Sequence, residues 1–327
     1  MNALPAQREL DAVVVGGGPS GLAAASWLAR FRRRVVVIDS GEHRADRVER
    51  SHGYLGRDPQ TPRELIARGR DEVLAYPNAS IVADAVTSVR RRPDGSFVVT
   101  LRGADPVVAH KLVLACGVVD AKPDVPGLEE HYGASVFHCP ACDGYEARDQ
   151  DVVALGWSEN LSGFAATLLG WARTVTVVTA GERFQGDDAC RTLLDRHGIE
   201  VVEERVASLV GERGSLRAAR LESGRELPCS LAFFSVAHQP RVELARELGC
   251  EIDDEGYVTV NDCGMTSVDG VYAAGDLVPG LQLTAVAVAK GVVAGVGCAQ
   301  SFIGRPTAVL AADAPPDVAA ERAELIG

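Results

Sequence analysis

Apolar runs and glycine-rich turns alternate over the first part of the chain. A β-branched run at residues 11–16 leads into a Gly-rich turn, and a helix-like stretch follows from Ser20 to Arg30. The run from Arg34 to Asp39 has an unbroken apolar centre, which is typical of a parallel strand covered on both faces. This order of elements predicts a βαβ unit.

Similar patterns recur further along the chain. Residues 80–115 contain short strand-like runs joined by hairpin signals, and a linker rich in proline and glycine follows at 123–127. A second βαβ pattern and further elements are predicted at 152–155, 158–171 (a helix), 175–179, 199–222 (a strand pair), 231–235, 257–260 and 281–299 (a long helix). We therefore expect an α/β fold of two nested Rossmann-like dinucleotide-binding domains, with the second (119–248) inserted into the first (1–118 and 249–327).

Composition narrows the classes of partner. The 327 residues are 46% hydrophobic and 24% charged, with a formal net charge of −12, which disfavours binding to nucleic acid or to an anionic membrane. The segment 281–299 is apolar enough to resemble a membrane span, but Lys290 and several glycines interrupt it, so a buried helix fits better. The beginning of the chain lacks an apolar signal region, and we expect a cytoplasmic protein whose eight cysteines are reduced apart from one catalytic pair.

The first Gly-rich turn carries a dinucleotide-binding fingerprint. Gly16 allows a tight turn, Gly18 lets the backbone approach a pyrophosphate, and Gly21 lets the helix pack on the strand. The helix N-terminus would offer its N–H groups to the phosphates, and Asp39 could accept from a ribose hydroxyl. A glycine turn without a ligand is the alternative, and the fingerprint alone does not separate FAD from NAD. The candidate cofactor-binding residues are Gly16, Gly18, Pro19, Ser20, Gly21 and Asp39, joined by Gly275 and Asp276 in a second Gly-rich turn.

A Cys-x-x-Cys pair lies between the two predicted nucleotide folds. Cys139 and Cys142 could be a redox dithiol, half of a zinc site or two unrelated thiols, and the chain has neither a second such pair nor paired histidines to complete a zinc site. Asp143 could donate or receive a proton as a thiolate forms, or could simply be a turn residue. His138 could lower a thiol pKa or act as a base, or could be structural.

These motifs together resemble the low-molecular-weight thioredoxin reductase family, over the chain up to about Ile303. The resemblance implies FAD in the first fold, with Asp276 near the flavin ribityl chain and Gln282 at the start of a helix that faces the flavin. It also implies that Cys142 lies near the flavin, that Cys139 attacks the substrate, and that Asp143 is the acid–base residue. A homodimer is implied as well. An arginine often found before the glutamine is Leu281 here.

The second nucleotide fold departs from that family. The positions of its Gly-x-Gly-x-x-Ala turn hold Ala154, Gly156 and Glu159, and a carboxylate at the helix start would repel a pyrophosphate. The basic cluster for a 2′-phosphate is replaced by Thr179-Ala180-Gly181-Glu182, and the closing Gly-x-x-Pro turn by Ala237-His238-Gln239-Pro240. We therefore expect little use of NADPH.

An intact flavin site beside a degraded nicotinamide site resembles the NADPH-independent dithiol oxidase branch of that family. The resemblance implies oxidation of a small-molecule dithiol, with FAD as the cofactor and oxygen as the acceptor. Two alternatives stay open. One is a thioredoxin reductase that acts on a thioredoxin-like protein and takes electrons from a donor such as ferredoxin. The other is a flavin-binding redox sensor with little turnover.

Overall fold

The computed structural model describes residues 10–303. Two short 3₁₀ helices lie at Gly144–Ala147 and Gly275–Leu277. The α-helices are α1 (Pro19–Arg30), α2 (Pro62–Leu74), α3 (Leu128–His131), α4 (Pro140–Asp143), α5 (Asn160–Leu168), α6 (Asp188–Arg196), α7 (Glu243–Glu247) and α8 (Thr284–Gln300). The strands are β1 (Leu10–Val15), β2 (Val35–Asp39), β3 (Ala79–Ala83), β4 (Val86–Arg91), β5 (Phe97–Leu101), β6 (Val107–Leu114), β7 (Val118–Ala121), β8 (Val136–Phe137), β9 (Asp151–Leu155), β10 (Thr174–Val178), β11 (Glu200–Val202), β12 (Val206–Glu212), β13 (Ser215–Leu221), β14 (Glu226–Pro228), β15 (Leu231–Phe234), β16 (Ala237–Pro240) and β17 (Val271–Ala273).

The chain divides into two compact units. Among the described residues, the first unit contains 10–43, 63–118 and 240–303, and the second contains 44–62 and 119–239. The first unit holds a mixed sheet whose central strands are parallel, and the second holds a parallel sheet, which gives the α/β class expected from the sequence.

The first unit is built on a seven-stranded sheet with the order β3-β2-β1-β6-β5-β4, in which β17 also pairs with β6. Every residue of β1 and β2 is buried, because helices or strands cover both faces of these valine-rich runs. The eight-residue β6 pairs antiparallel with β5 at its beginning and parallel with β1 and β17 at its end.

Helices α1 and α8 pack closely against each other in the first unit. A Cβ added at Gly291 would lie 2.1 Å from the carbonyl oxygen of Ser20, and one at Gly295 would lie 2.6 Å from that of Ala24. Glycine at these two positions therefore allows the backbones to approach. The apolar segment 281–299 thus contains a helix packed on α1, and within residues 10–303 no helix has the length and apolarity needed to cross a bilayer.

The second unit contains a five-stranded parallel sheet with the order β11-β10-β9-β15-β8 and a three-stranded antiparallel sheet, β12-β13-β14. Its core is separate from that of the first unit, and Phe233 and Phe234 of β15 point into its two halves, where both are almost fully buried. A two-stranded ribbon, β7 with β16, lies where the chain passes between the units.

The unit boundaries differ from the predicted ones in two places. Residues 240–248 belong to the first unit rather than the inserted one, because Val242 and Ala245 are buried in the core that surrounds β1 and β6. The segment Arg44–Pro62 belongs to the second unit, where Glu49 pairs with Arg213 at 2.9 Å.

The strand expected at 257–260 is absent, and only an isolated bridge joins Ile252 to Val258. Helix α2 has no counterpart among the predicted elements.

Candidate functional site

The fingerprint turn of the first unit has the geometry that the glycines predict. Gly16 has a φ of +107°, and a Cβ there would lie 2.4 Å from the carbonyl oxygen of Ala115. A Cβ at Gly21 would lie 1.9 Å from the carbonyl oxygen of Gly16. At Gly18, in contrast, an added Cβ would meet no atom within 4 Å. Two glycines therefore serve internal packing, whereas Gly18 borders open space.

Helix α1 starts directly after this open space. Gly18 is its N-cap and Pro19 its first residue, and no side chain caps the first turn. The N–H groups of the first turn thus keep their capacity to bind an anion, and the positive end of the helix dipole lies at the same place. The turn has the features of a phosphate cradle.

Asp39 ends β2 directly beside the fingerprint turn. Its carboxylate is 4% exposed, and a Cβ on Gly17 would lie 2.3 Å from it. The carboxylate accepts hydrogen bonds from Arg70 Nη1 at 2.7 Å and from the N–H of Gly41 at 3.1 Å, and His43 Nε2 lies 3.3 Å away. Burial by itself would raise the pKa of Asp39, but hydrogen bonds from His43 and Gly41 outweigh it and lower the pKa. An ionised acceptor therefore stands at the position expected for a ribose.

The second Gly-rich turn lies against the start of α1. Gly275 has a φ of +78°, and a Cβ there would lie 2.4 Å from Ser20 Oγ. Lys290 Nζ donates to the carbonyl oxygens of Gly275, Val278 and Pro279 at 3.3, 3.1 and 2.9 Å. The lysine thereby fixes the turn that carries Asp276, and the fold brings both Gly-rich turns together.

Gln282 precedes the last helix rather than starting it. Helix α8 begins at Thr284 with Leu283 as N-cap, and the Gln282 side chain donates to the Tyr257 hydroxyl at 3.0 Å. Leu281, at the position where relatives often hold an arginine, is 70% exposed.

The residues of the first unit fit a dinucleotide. The open side of Gly18, the uncapped start of α1 and the ionised Asp39 supply a phosphate cradle and a ribose acceptor in one place. FAD would be held by these groups and by the turn at Gly275 and Asp276. Within residues 10–303, no cluster of three or more His, Cys, Asp or Glu side chains could hold a metal ion.

The Cys-x-x-Cys pair lies in the second unit on the short helix α4. Cys139 and Cys142 form a disulfide, and the other six cysteines are free. Cys139 is the N-cap of α4, Pro140 its first residue, and the N–H of Cys142 donates to Cys139 Sγ at 3.1 Å. The helical turn thus holds the two sulfurs together, as a reversible dithiol requires.

Asp143 follows the disulfide directly and is 6% exposed. Burial raises its pKa to about 7, Glu146 adds to the increase, and His52 opposes it. A carboxyl with a pKa near neutrality can both donate and accept a proton under physiological conditions. This environment suits the acid–base role expected for Asp143 from the sequence.

His138 precedes the disulfide and is held by a buried network. Its Nδ1 lies 3.0 Å from the Tyr132 hydroxyl, and its Nε2 lies 3.8 Å from Asp120 Oδ2. Burial lowers the pKa of His138 to about 4 despite the opposing charge of Asp120. The imidazole is therefore neutral near neutral pH and cannot stabilise a thiolate by a positive charge.

Asp120 is the centre of that network. Its carboxylate is 6% exposed and accepts two hydrogen bonds from Arg44, at 2.7 and 2.5 Å, with His238 Nδ1 at 3.0 Å. Burial alone would raise the pKa of Asp120, but hydrogen bonds from His238 and Arg44 hold it well below its usual range. Asp120 thus stays ionised, and His238, from the altered Gly-x-x-Pro turn, has a structural partner.

The second nucleotide fold keeps its βαβ geometry, but its phosphate turn is altered. Gly156 has a φ of +150°, while Glu159, at the N-cap of α5, is exposed and makes no capping hydrogen bond with its side chain. The N–H of Gln185 donates to the Trp157 carbonyl oxygen at 2.8 Å, and the neighbouring Phe184 is 2% exposed. The loop after β10 is therefore tied to the altered turn.

The pyridine nucleotide-disulphide oxidoreductase family matches residues 10–291. The chain belongs to this family. It is 30% identical to the thioredoxin reductase of Mycolicibacterium smegmatis over 307 residues, which cover 89% of this chain and 94% of that protein. A protein of Arthroderma benhamiae named as a probable thioredoxin reductase is 37% identical over 155 residues, only 46% of this chain and 38% of that protein. The crystal structure of HlmI superposes with a TM-score of 0.87, at 32% identity and with full coverage of both chains.

The family assignment confirms the resemblance to low-molecular-weight thioredoxin reductases, the two-domain α/β fold and a thiol–disulfide oxidoreductase activity. Members of the family generally bind FAD.

The structure also adds residues around the predicted ones. Arg70 and His43 surround Asp39, Lys290 fixes the turn at Gly275, and Glu146 and His52 affect Asp143. A local signal exists for Glu146, since it is an acid three residues after Asp143 on a helical turn. His43 is likewise only four residues from Asp39. Arg70, Lys290 and His52 lie far along the chain from the groups they contact, and no local pattern marks them.

Proposed function

We propose that the protein is an FAD-dependent oxidase that converts a small-molecule dithiol to a disulfide and uses oxygen as the acceptor. The observation that carries this proposal is the contrast between two sites. The dithiol and its acid–base residue are intact, whereas the second nucleotide turn carries Glu159 and is tied to the loop that holds Phe184. With the nicotinamide turn altered, the proposal assigns a dithiol as the electron donor.

The first half of the reaction requires only the disulfide and its neighbours. A substrate thiolate attacks Cys139 Sγ, the Cys139–Cys142 bond breaks, and Cys142 leaves as a thiolate that Asp143 can protonate. The second substrate thiol, as its thiolate, then attacks the mixed disulfide at the substrate sulfur and releases Cys139. The substrate has lost two electrons and two protons, and the cysteine pair has gained the electrons.

FAD, when bound, would supply a two-electron acceptor for the reduced cysteines, with oxygen as the final acceptor and hydrogen peroxide as the product. Gly16, Gly18 and Gly21 would hold its pyrophosphate, with Asp39 on the ribose. Asp276 and Gln282 would lie towards the flavin. His138, which Tyr132 fixes beside Cys139 in the chain, has its pKa lowered to about 4 by burial and is therefore only a weak base for this step.

An oxygen electrode tests the proposal directly. With dithiothreitol as substrate, oxygen uptake should be matched by an equal amount of peroxide. Cys142→Ser and Cys139→Ser should each abolish uptake, whereas Cys263→Ser, which removes an exposed free thiol of the first unit, should leave it unchanged. Full uptake by either of the first two variants would refute the role of the dithiol.

The names of the relatives favour a second candidate, reduction of a thioredoxin-like protein. Because the second nucleotide turn is altered, this candidate would take its electrons from a donor such as ferredoxin. The same dithiol would then work in the opposite direction. Absence of oxygen uptake with any small dithiol, together with rapid thioredoxin reduction from reduced ferredoxin, would favour this candidate over the oxidase.

A further inference from the structure

A second carboxyl lies one helical turn beyond Asp143. Glu146 is on the 3₁₀ helix Gly144–Ala147, and side chains three residues apart on such a helix share a face. One of its oxygens, Oε2, is buried and has no hydrogen-bond partner among the described residues. A buried acceptor without a partner is uncommon and calls for an explanation.

The other oxygen of Glu146, Oε1, contacts a partly exposed histidine. His52 Nε2 lies 3.4 Å from Glu146 Oε1, and His52 Nδ1 lies 2.9 Å from Asp58 Oδ1. Asp58 also accepts from the N–H of Gly53 at 2.9 Å, which fixes the carboxylate that orients the ring. Asp143 is 6% exposed, whereas the side chains further along this path are 34% (Glu146), 26% (His52) and 46% (Asp58) exposed, so the path ends in solvent.

Few other groups influence Asp143. The charges that act on it come from Glu146 and His52, and the nearby phenol of Tyr132 keeps its proton because burial raises its pKa. Helix α5, which also packs on α4, contains no charged residue, and Gly144 lies against the Trp171 ring. Within the described part of the chain, Glu146 and His52 are therefore the charged groups that link Asp143 with solvent.

We propose that Glu146 and His52 are positioning residues that connect Asp143 with solvent and determine when it gives up its proton. When the Cys139–Cys142 bond breaks, Asp143 protonates the departing Cys142 thiolate. Glu146 and His52 then return a proton from solvent to Asp143, which replaces the proton that the attacking substrate thiol released. The inference rests on thiol–disulfide chemistry and is independent of whether oxygen is the final acceptor.

The test is the pH dependence of reduction of the Cys139–Cys142 disulfide in the holoprotein. Dithiothreitol is added at a series of pH values, the reaction is quenched, and the thiols formed in excess of the six free cysteines are labelled and counted. The change in reduction rate with pH that is lost in Asp143→Asn is assigned to the titration of Asp143. Bound FAD would take the electron pair of the reduced cysteines, so the assay is anaerobic and flavin bleaching is added to the thiols counted. Because oxygen takes no part, the readout remains valid if the oxidase proposal fails.

Glu146→Gln and His52→Asn should shift the midpoint of the Asp143 titration in opposite directions. Glu146→Gln removes a like charge and should move the midpoint to lower pH by about one unit, whereas His52→Asn should move it to higher pH. Glu146→Asp keeps the charge and should stay close to the parent, and so should Asp149→Asn, which removes a carboxylate that does not act on Asp143.

An unchanged midpoint in folded Glu146→Gln, or a shift of both variants in the same direction, would overturn the proposal. Circular dichroism establishes whether each variant folds. If Glu146→Gln does not fold, His52→Asn decides alone, and an unchanged midpoint there refutes the link to solvent.

Discussion

Replacement of Gly18 by alanine separates cofactor binding from folding. Gly18 has φ and ψ of −72° and −179°, a conformation open to any residue, and an added Cβ meets no atom within 4 Å. The loss of flexibility in the unfolded chain stabilises the variant by about 0.4–1 kcal/mol. Alanine is a poorer N-cap than glycine by a similar amount. The two effects nearly cancel, so the apoprotein should melt within about 2 °C of the parent.

The same methyl group should weaken the binding of FAD. The methyl occupies space that a pyrophosphate needs, and overpacking of this size costs about 1–3 kcal/mol. The dissociation constant of FAD should therefore rise by roughly 5- to 150-fold. Titration of flavin-free protein with FAD, followed by fluorescence, gives this constant, and thermal melting of the same sample gives the stability.

Two matched glycine variants make the result decisive. Gly163→Ala also places a Cβ in open space, on α5 of the second unit, and should change neither FAD affinity nor, apart from a slight increase, stability. Gly21→Ala forces a Cβ to within 1.9 Å of the Gly16 carbonyl oxygen and should lower both. If Gly18→Ala binds FAD like the parent, the pyrophosphate does not approach Gly18; if it is as unstable as Gly21→Ala, the space is not open.

Two further predictions concern the second unit. Neither NADPH nor NADH should reduce the flavin in anaerobic stopped-flow mixing, and Glu159→Ala should not restore reduction, because the loop at Phe184 stays tied to the altered turn; complete reduction within seconds would contradict this. Folding raises the pKa of Asp143 from its ordinary value of 3.8 to about 7. The protonated carboxyl is therefore compatible with folding at low pH, whereas between pH 3.8 and about 7 the buried group increasingly disfavours the folded state. Asp143→Asn should therefore be more stable than the parent above this window, by roughly 4 kcal/mol, and gain little at low pH, as urea unfolding at both ends would show.

The central strands and the fingerprint were predictable from sequence because both are encoded locally. Continuous valine runs give strands buried on both faces, and glycine spacing gives the turn. Helix α2 was missed because it is rich in charged residues and largely exposed, so no long apolar run marks it in the sequence. The segment Arg44–Pro62 was assigned to the wrong unit because distant partners hold it, such as Arg213 for Glu49 and Asp120 for Arg44.

The features of the candidate site were likewise predictable only where they depend on residues close in the sequence. The sequence placed Cys139, Cys142 and Asp143 on one turn, as their spacing requires. The neutral state of His138 could not be predicted, because it depends on burial against residues from other strands rather than on its neighbours in the chain. The roles of these residues stay predictions until the variants are measured.

The nested arrangement of the two units has a consequence for the order in which the protein is completed during synthesis. Strands β8 to β15 of the second unit all come from one continuous segment, so that sheet can form while the chain is still growing. The first unit has to wait for β17 and α8, which emerge last and join strands made near the beginning. Gly275 meets Ser20 only at that stage. If FAD binds as proposed, its capture is the last step of biogenesis, and a chain truncated before β17 should accumulate with a folded second unit and no flavin.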